Sequence, residues 1–206
     1  MLTHDELHRH FKRADPVIAQ VIKQVGPCTL RPRRDRFKIL VRSIVSQQIS
    51  VAAARTIWMR LEQAVAPQGI RPETIARFTV ARFRKAGISR QKAGYLLDLA
   101  EKCRDGTVRL SRLARMTDDQ VVDELIQIKG IGRWSAQMFL IFALGRPDIF
   151  PHDDLGLRSA LSRLYKLDRL PDRDECLAIG NRWRPYASLG SWYCWRFLEL
   201  PKTNGK

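Results

Sequence analysis

Leu125-Ile126-Gln127-Ile128-Lys129-Gly130-Ile131-Gly132-Arg133-Trp134-Ser135-Ala136 is the stretch on which the fold turns. Apolar residues at helical spacing precede it (Val121, Val122, Leu125) and follow it (Trp134 through Leu144), so two helices meet at a Gly-Ile-Gly turn. Two glycines around one aliphatic residue let the backbone turn tightly. The second helix then opens with unpaired N–H groups and the positive end of its dipole, where a phosphate fits. Ile131 is expected to plug the turn into a core. The amides near Gly130, Gly132 and Trp134 would hold a phosphodiester backbone without reading sequence. An ordinary turn between helices, with glycine at a C-cap, accounts for the same residues.

Working outward, the periodicity is helical almost throughout, without strand alternation or internal repeats, and predicts an all-α fold. Thr3 and Glu6 have capping-box spacing, Asp15-Pro16 opens a second helix, and Ser50 is placed to cap the helix that carries Trp58. Helices are expected around Thr74–Phe78, over Val80–Lys85, through Tyr95–Ala100 up to Gly106, and from Thr117 or Asp118. Asp153 or Asp154 can cap the helix from Leu155 to Tyr165, and Pro171-Asp172 introduces the last, aromatic-rich region.

The 206 residues carry 37 Lys and Arg against 21 Asp and Glu, a net charge of +16. Such an excess repels itself within a folded domain and suits an anionic polymer as partner, with a merely soluble basic surface as the other reading. The longest apolar run, Met138 to Leu144, has 7 residues, whereas a bilayer-spanning helix needs roughly 20. The opening Met1-Leu2-Thr3-His4-Asp5-Glu6 lacks the basic-then-apolar order of a secretory signal, so a cytoplasmic, nucleoid-associated protein is expected. Cys28, Cys103, Cys176 and Cys194 lie too far apart for a metal-ligand cluster or a four-cysteine iron–sulfur loop and read as small hydrophobes. His4 and His8 share a helical face with no matched third ligand and are expected, with His10, to be solvated.

Four blocks stand in order along the chain: Ile44-Val45-Ser46-Gln47-Gln48-Ile49-Ser50, Ile128 through Ala136, Phe150-Pro151-His152-Asp153-Asp154-Leu155, and Trp183-Arg184-Pro185-Tyr186-Ala187 with Trp192-Tyr193. In this combination the chain resembles the helix-hairpin-helix DNA glycosylases that end in a Gly/Pro-rich loop and an Asp (HhH-GPD), and specifically their 3-methyladenine DNA glycosylase II branch. The resemblance implies a two-lobed helical core with a cleft between the lobes. Lobe A would comprise about 1–66 plus 170–206, and lobe B about 67–169 with the hairpin at 125–136. The β-rich N-terminal domain of longer members is not expected.

The activity implied is that of a monofunctional base excision repair glycosylase. It would flip alkylated purines out of double-stranded DNA and hydrolyse the N-glycosidic bond, leaving an abasic site. Positive charge develops on the deoxyribose, so a carboxylate beneath the sugar stabilises the transition state. The resemblance implies Asp154 for this role, with Asp153 as a helix cap or loop organiser; taken alone, both read more readily as caps. It places Trp134, Trp192 and Tyr193 near the flipped base, with Met138 on the pocket side of its helix, while Trp195 and Phe197 are expected to be core packing. DNA contacts are expected from Gln47, Gly130, Ile131, Gly132, Arg133 and Ser135, and from Gln48, which occupies the wedge position held by leucine in some members. Relatives that also cut the strand carry a lysine where this chain has Trp134, so no lyase activity is implied. No cofactor, side-chain metal site, membrane or obligate protein partner is expected; a monovalent cation on hairpin carbonyls and a monomeric state are. Two other classes compete: a non-catalytic helix-hairpin-helix DNA-binding module, and an RNA-binding ribosome-associated protein, which explains the charge but not the coincident blocks.

Overall fold

Most of the described helix starts follow from local side-chain caps. The computed structural model describes residues 3–201; Met1 and Leu2, part of the opening segment read for a leader, lie outside them. Helices α1 (His4–Ala14) and α2 (Pro16–Val25) are capped by Thr3, in a capping box with Glu6, and by Asp15. Asp35, Ser50, Thr79 and Ser89 cap α3 (Arg36–Ser46), α4 (Val51–Val65), α6 (Val80–Lys85) and α7 (Arg90–Arg104), while α5 (Pro72–Ala76) begins on a proline. Thr117 with Gln120 opens α8 (Asp118–Ile126), and α9 (Arg133–Phe139) starts at Gly132. Asp154 caps α10 (Leu155–Leu164), and Asp172 with Glu175 opens α11 (Arg173–Arg182), followed by α12 (Ala187–Glu199). No strand occurs among the described residues. The apolar helix expected from Trp134 to Leu144 is split, ending at Phe139 and continuing as a wider π-turn over Leu140–Leu144. None of the described helices is long and apolar enough to cross a membrane.

The chain divides into two compact units: residues up to Pro32 with those from Gly145 onward, and Arg33–Leu144. Boundaries near 66 and 170 are therefore corrected. Helix α3 packs on α4, α7 and α9, which draws α3 and α4 into the middle unit, and α10 packs on α12, which draws it into the terminal one.

The terminal unit is built on a buried core of α1, α2, α10, α11 and α12, with Phe11, Ile18, Ile22, Leu161, Trp183 and Tyr193 fully enclosed. A carboxylate sits in that core. Asp15 has no exposed surface; its Oδ1 accepts from the amides of Val17 (3.1 Å) and Ile18 (3.4 Å), and its Oδ2 from Trp183 Nε1 (2.9 Å) and the Tyr165 hydroxyl. Arg182 approaches Oδ2 to 3.2 Å. Burial, together with the bond to Asp15, pushes the Tyr165 phenol pKa up and keeps it protonated. The histidines are half-buried rather than solvated, and His10 Nε2 lies 3.2 Å from the Trp183 carbonyl oxygen. Among the described residues no group of three or more His, Cys, Asp or Glu side chains is placed to hold a metal ion.

Replacing Asp15 by alanine strips these buried donors of their acceptor and removes the α2 cap. It should cost about 3 kcal/mol of stability. Asp15→Asn, which keeps an acceptor at the cap, should cost less, as read from urea unfolding midpoints.

Candidate active site

In the middle unit, the turn between α8 and α9 closes with Ile131 N donating to Ile128 O at 3.0 Å, and Ile131 is buried. Its two glycines serve different ends. Gly130 has φ +81°, and a Cβ there would lie 2.2 Å from Tyr95 Cδ2, so the fold itself demands glycine. Gly132 is extended (φ −97°, ψ 178°), exposed, and a Cβ would meet nothing within 4 Å. Among the described residues nothing requires glycine at this position. A bare N-cap with no side-chain cap on α9 leaves a backbone that an outside group can approach closely. Arg133 and Trp134 are exposed beside it, whereas Ser135 is only 5% exposed. Ser135, expected among the DNA contacts, is third in the helix and turns its side chain inward.

The turn is braced from beneath by α7. Asp98 Oδ2 accepts from the Lys129 amide (2.9 Å) and from Lys102 Nζ (2.8 Å), and Lys102 also donates to Gln127 O (2.7 Å). Burial opposes charge on Asp98, but the Lys102 and Lys129 bonds outweigh it and hold its carboxyl below the usual range.

Gln47 joins a second element to this turn. Its Nε2 donates to Gly130 O at 2.7 Å, so the side chain expected to meet DNA is a tether between the α3–α4 loop and the hairpin. Lys92 Nζ donates to the carbonyl oxygens of Val45 (2.8 Å) and Gln47 (2.6 Å), and burial lowers its pKa. Sequence reasoning missed Lys92, because a lysine on a helix carries no local signal of where its ammonium ends. Next to the tether, Gln48 is exposed with φ +53°, and Val51, the first residue of α4, is 87% exposed. The expected wedge residue thus stands out on a loop pinned from two sides. Trp134 (42% exposed) and the half-buried Met138 are one turn apart on α9 and share a face.

The terminal unit carries the carboxylates. Asp154 is half-buried, and its Oδ1 accepts two bonds, from the Leu157 amide at 2.6 Å and from Trp195 Nε1 at 2.8 Å. The cap is therefore Asp154 and not Asp153, which is exposed with Oδ2 3.4 Å from His152 Nε2. Trp195, expected as packing, is half-buried and reaches the carboxylate. Trp192 is buried edge-to-face against Tyr193, with ring centroids 4.9 Å apart, and Arg196 lies over its ring. Tyr193 has no exposed surface and its hydroxyl donates to Gly26 O at 3.0 Å. Its expected place in a base pocket is corrected to a core role: the bond to the C-cap of α2 holds the ring inside.

Residues 41–185 match the HhH-GPD superfamily of base excision DNA repair proteins. The chain belongs to that superfamily. Its fold is similar to that of a Schizosaccharomyces pombe 3-methyladenine DNA glycosylase (Mag1) solved in complex with abasic DNA, with a TM-score of 0.83 at 30% identity, covering 94% of this chain and 97% of that one. A Bacillus halodurans DNA-3-methyladenine glycosidase structure gives a TM-score of 0.80 at 33% identity, covering 92% and 89%. In sequence, Bacillus subtilis YfjP is 37% identical over 169 residues; the match takes in 79% of this HhH-GPD chain and 59% of YfjP's length.

The two hairpin glycines should separate in experiment. Gly130→Ala, forced into a left-handed backbone and against Tyr95, should lose about 2 kcal/mol or more of stability. Gly132→Ser, a good N-cap, should keep stability within about 0.5 kcal/mol yet weaken duplex DNA binding, measured by fluorescence anisotropy at fixed salt.

Proposed function

We propose that this HhH-GPD protein is a monofunctional DNA glycosylase that excises N-alkylated purines from duplex DNA and leaves an abasic site. The observation that carries this reading is Asp154, a half-buried carboxylate with one oxygen anchored by two N–H donors, in a chain whose other unit presents a bare-backbone hairpin. The similar structures named for 3-methyladenine glycosylases support it.

The target bond is hidden in the stack, so the nucleotide is first extruded. The exposed Gln48 loop is suited to fill the gap, while the Gly132 backbone and Arg133 hold phosphate oxygens. An N-alkylated purine is cationic and departs as a neutral base, taking the electron pair of the C1′–N bond. No general acid is needed for that departure, in contrast to glycosidases that pair two carboxylates. The Asp154 carboxylate stabilises the oxocarbenium-like sugar and takes up a proton from the water that attacks C1′. An indole such as that of Trp134, 42% exposed in the middle unit, attracts a cationic purine by up to ~2 kcal/mol where desolvated.

Strand cleavage through a Schiff base would need an amine nucleophile. Trp134 offers no amine just after the hairpin, and the nearby Lys129 has its amide bonded to Asp98, with Nζ 3.8 Å from Oδ1. Both features favour hydrolysis alone.

Asp154→Asn should cut single-turnover base release by about 10²-fold or more while leaving affinity for duplex DNA with an abasic-site analogue within a few-fold. Equal base release by both proteins would leave a non-catalytic DNA-binding module as the better reading. Across a lesion panel, cationic 7-methylguanine and 3-methyladenine should be released faster than neutral hypoxanthine, since the departing base receives no proton from an enzyme acid.

A further inference from the structure

We propose that Trp195 is a positioning residue for Asp154, its indole N–H setting the rotation of the carboxylate; this rests on the glycosylase reading above. A helix cap of the Asp154 kind makes one bond, here from the Leu157 amide at 2.6 Å. The second bond to the same oxygen, from Trp195 Nε1 at 2.8 Å, comes from a different helix 41 residues away and adds a constraint on the rotation of the carboxylate that the cap alone does not supply. Both bonds end on Oδ1, which ties that oxygen to the scaffold.

The indole is seated for this task. A Cβ on Gly156 would lie 3.4 Å from Trp195 Cδ1, in ordinary contact, and 3.2 Å from Asp154 Oδ1, so the bare Cα in the first turn of α10 gives the carboxylate and the ring beside it room to meet. Helix α12, which carries the indole, is itself anchored: the neighbouring Tyr193 and Cys194 have no exposed surface, and the Tyr193 hydroxyl is bonded to Gly26 O. The position of the indole N–H is thus inherited from the core rather than from a mobile side chain. Catalytic groups depend steeply on such placement: a displacement of about 1 Å can cost on the order of 10²-fold in rate.

The test is base release from a duplex carrying one 7-methylguanine, with Trp195→Phe, Asp154→Asn and the double variant. The phenylalanine keeps an aromatic ring but has no N–H. Trp195→Phe should lower kcat at least 10-fold with KM unchanged, and should lower it no further in the Asp154→Asn background. A drop in Tm with kcat preserved, or equal losses in both backgrounds, would reduce Trp195 to packing and overturn the proposal. Full activity of Asp154→Asn would instead remove the glycosylase reading, so the two failures are distinct. If Trp195→Phe does not fold, the Trp195 indole N–H resonance in the unmodified protein decides. It should move upfield in Asp154→Ala, and an unchanged resonance shows that the bond is not there to act.

Discussion

Two N–H groups, one from the first turn of α10 and one from an indole on α12, converge on a single oxygen of Asp154. The carboxylate is thereby both a helix cap and an oriented functional group. Its direction is a property of two packed helices, which in turn rest on the core that encloses Tyr193 and Trp183. Gly156 belongs to the same constraint, since a Cβ there would crowd the carboxylate oxygen at 3.2 Å.

The middle unit solves a parallel problem with cations instead of an indole. Lysine ammonium groups satisfy carbonyls at the ends of helices: Lys92 at the end of α3 and Lys102 just past α8. Gln47 then links the α3–α4 loop to the hairpin through Gly130 O. These bonds hold Gln48 and the Gly132 backbone outward on a fixed framework. Ion pairs inside the fold, such as Lys102 with Asp98 and Arg182 with Asp15, each cancel one cation against one anion and leave the +16 excess of the chain undiminished. The arginine flanking the hairpin, Arg133, remains exposed.

The two hairpin glycines show how one motif mixes fold and function. Gly130 is explained entirely by its positive φ and by Tyr95, whereas Gly132 is explained by neither. A position that the fold leaves unconstrained, yet filled by the one residue without a side chain, points to an external group coming close to the backbone. The Gly-Ile-Gly spacing in sequence looks symmetrical; the roles are not.

The sequence by itself determined what depends on neighbours within about one helical turn. The caps at Thr3, Asp15, Ser50, Thr117 and Asp172, the limits of α6, and the tight turn at Gly130 are all contacts between residues a few positions apart. The combination of short blocks likewise sufficed for the family, because each block is contiguous. Only the tertiary structure decided which atoms those blocks present. Asp154 meets Trp195 across 41 residues, Gln47 meets Gly130 across 83 and Asp15 meets Trp183 across 168. The same packing turned Ser135 and Tyr193 inward, exposed Gln48, and put the unit boundaries at Pro32 and Leu144. Periodicity sets the face a residue occupies on its own helix, but the direction of a side chain and the partner it finds are set by how that helix is packed against helices distant in sequence.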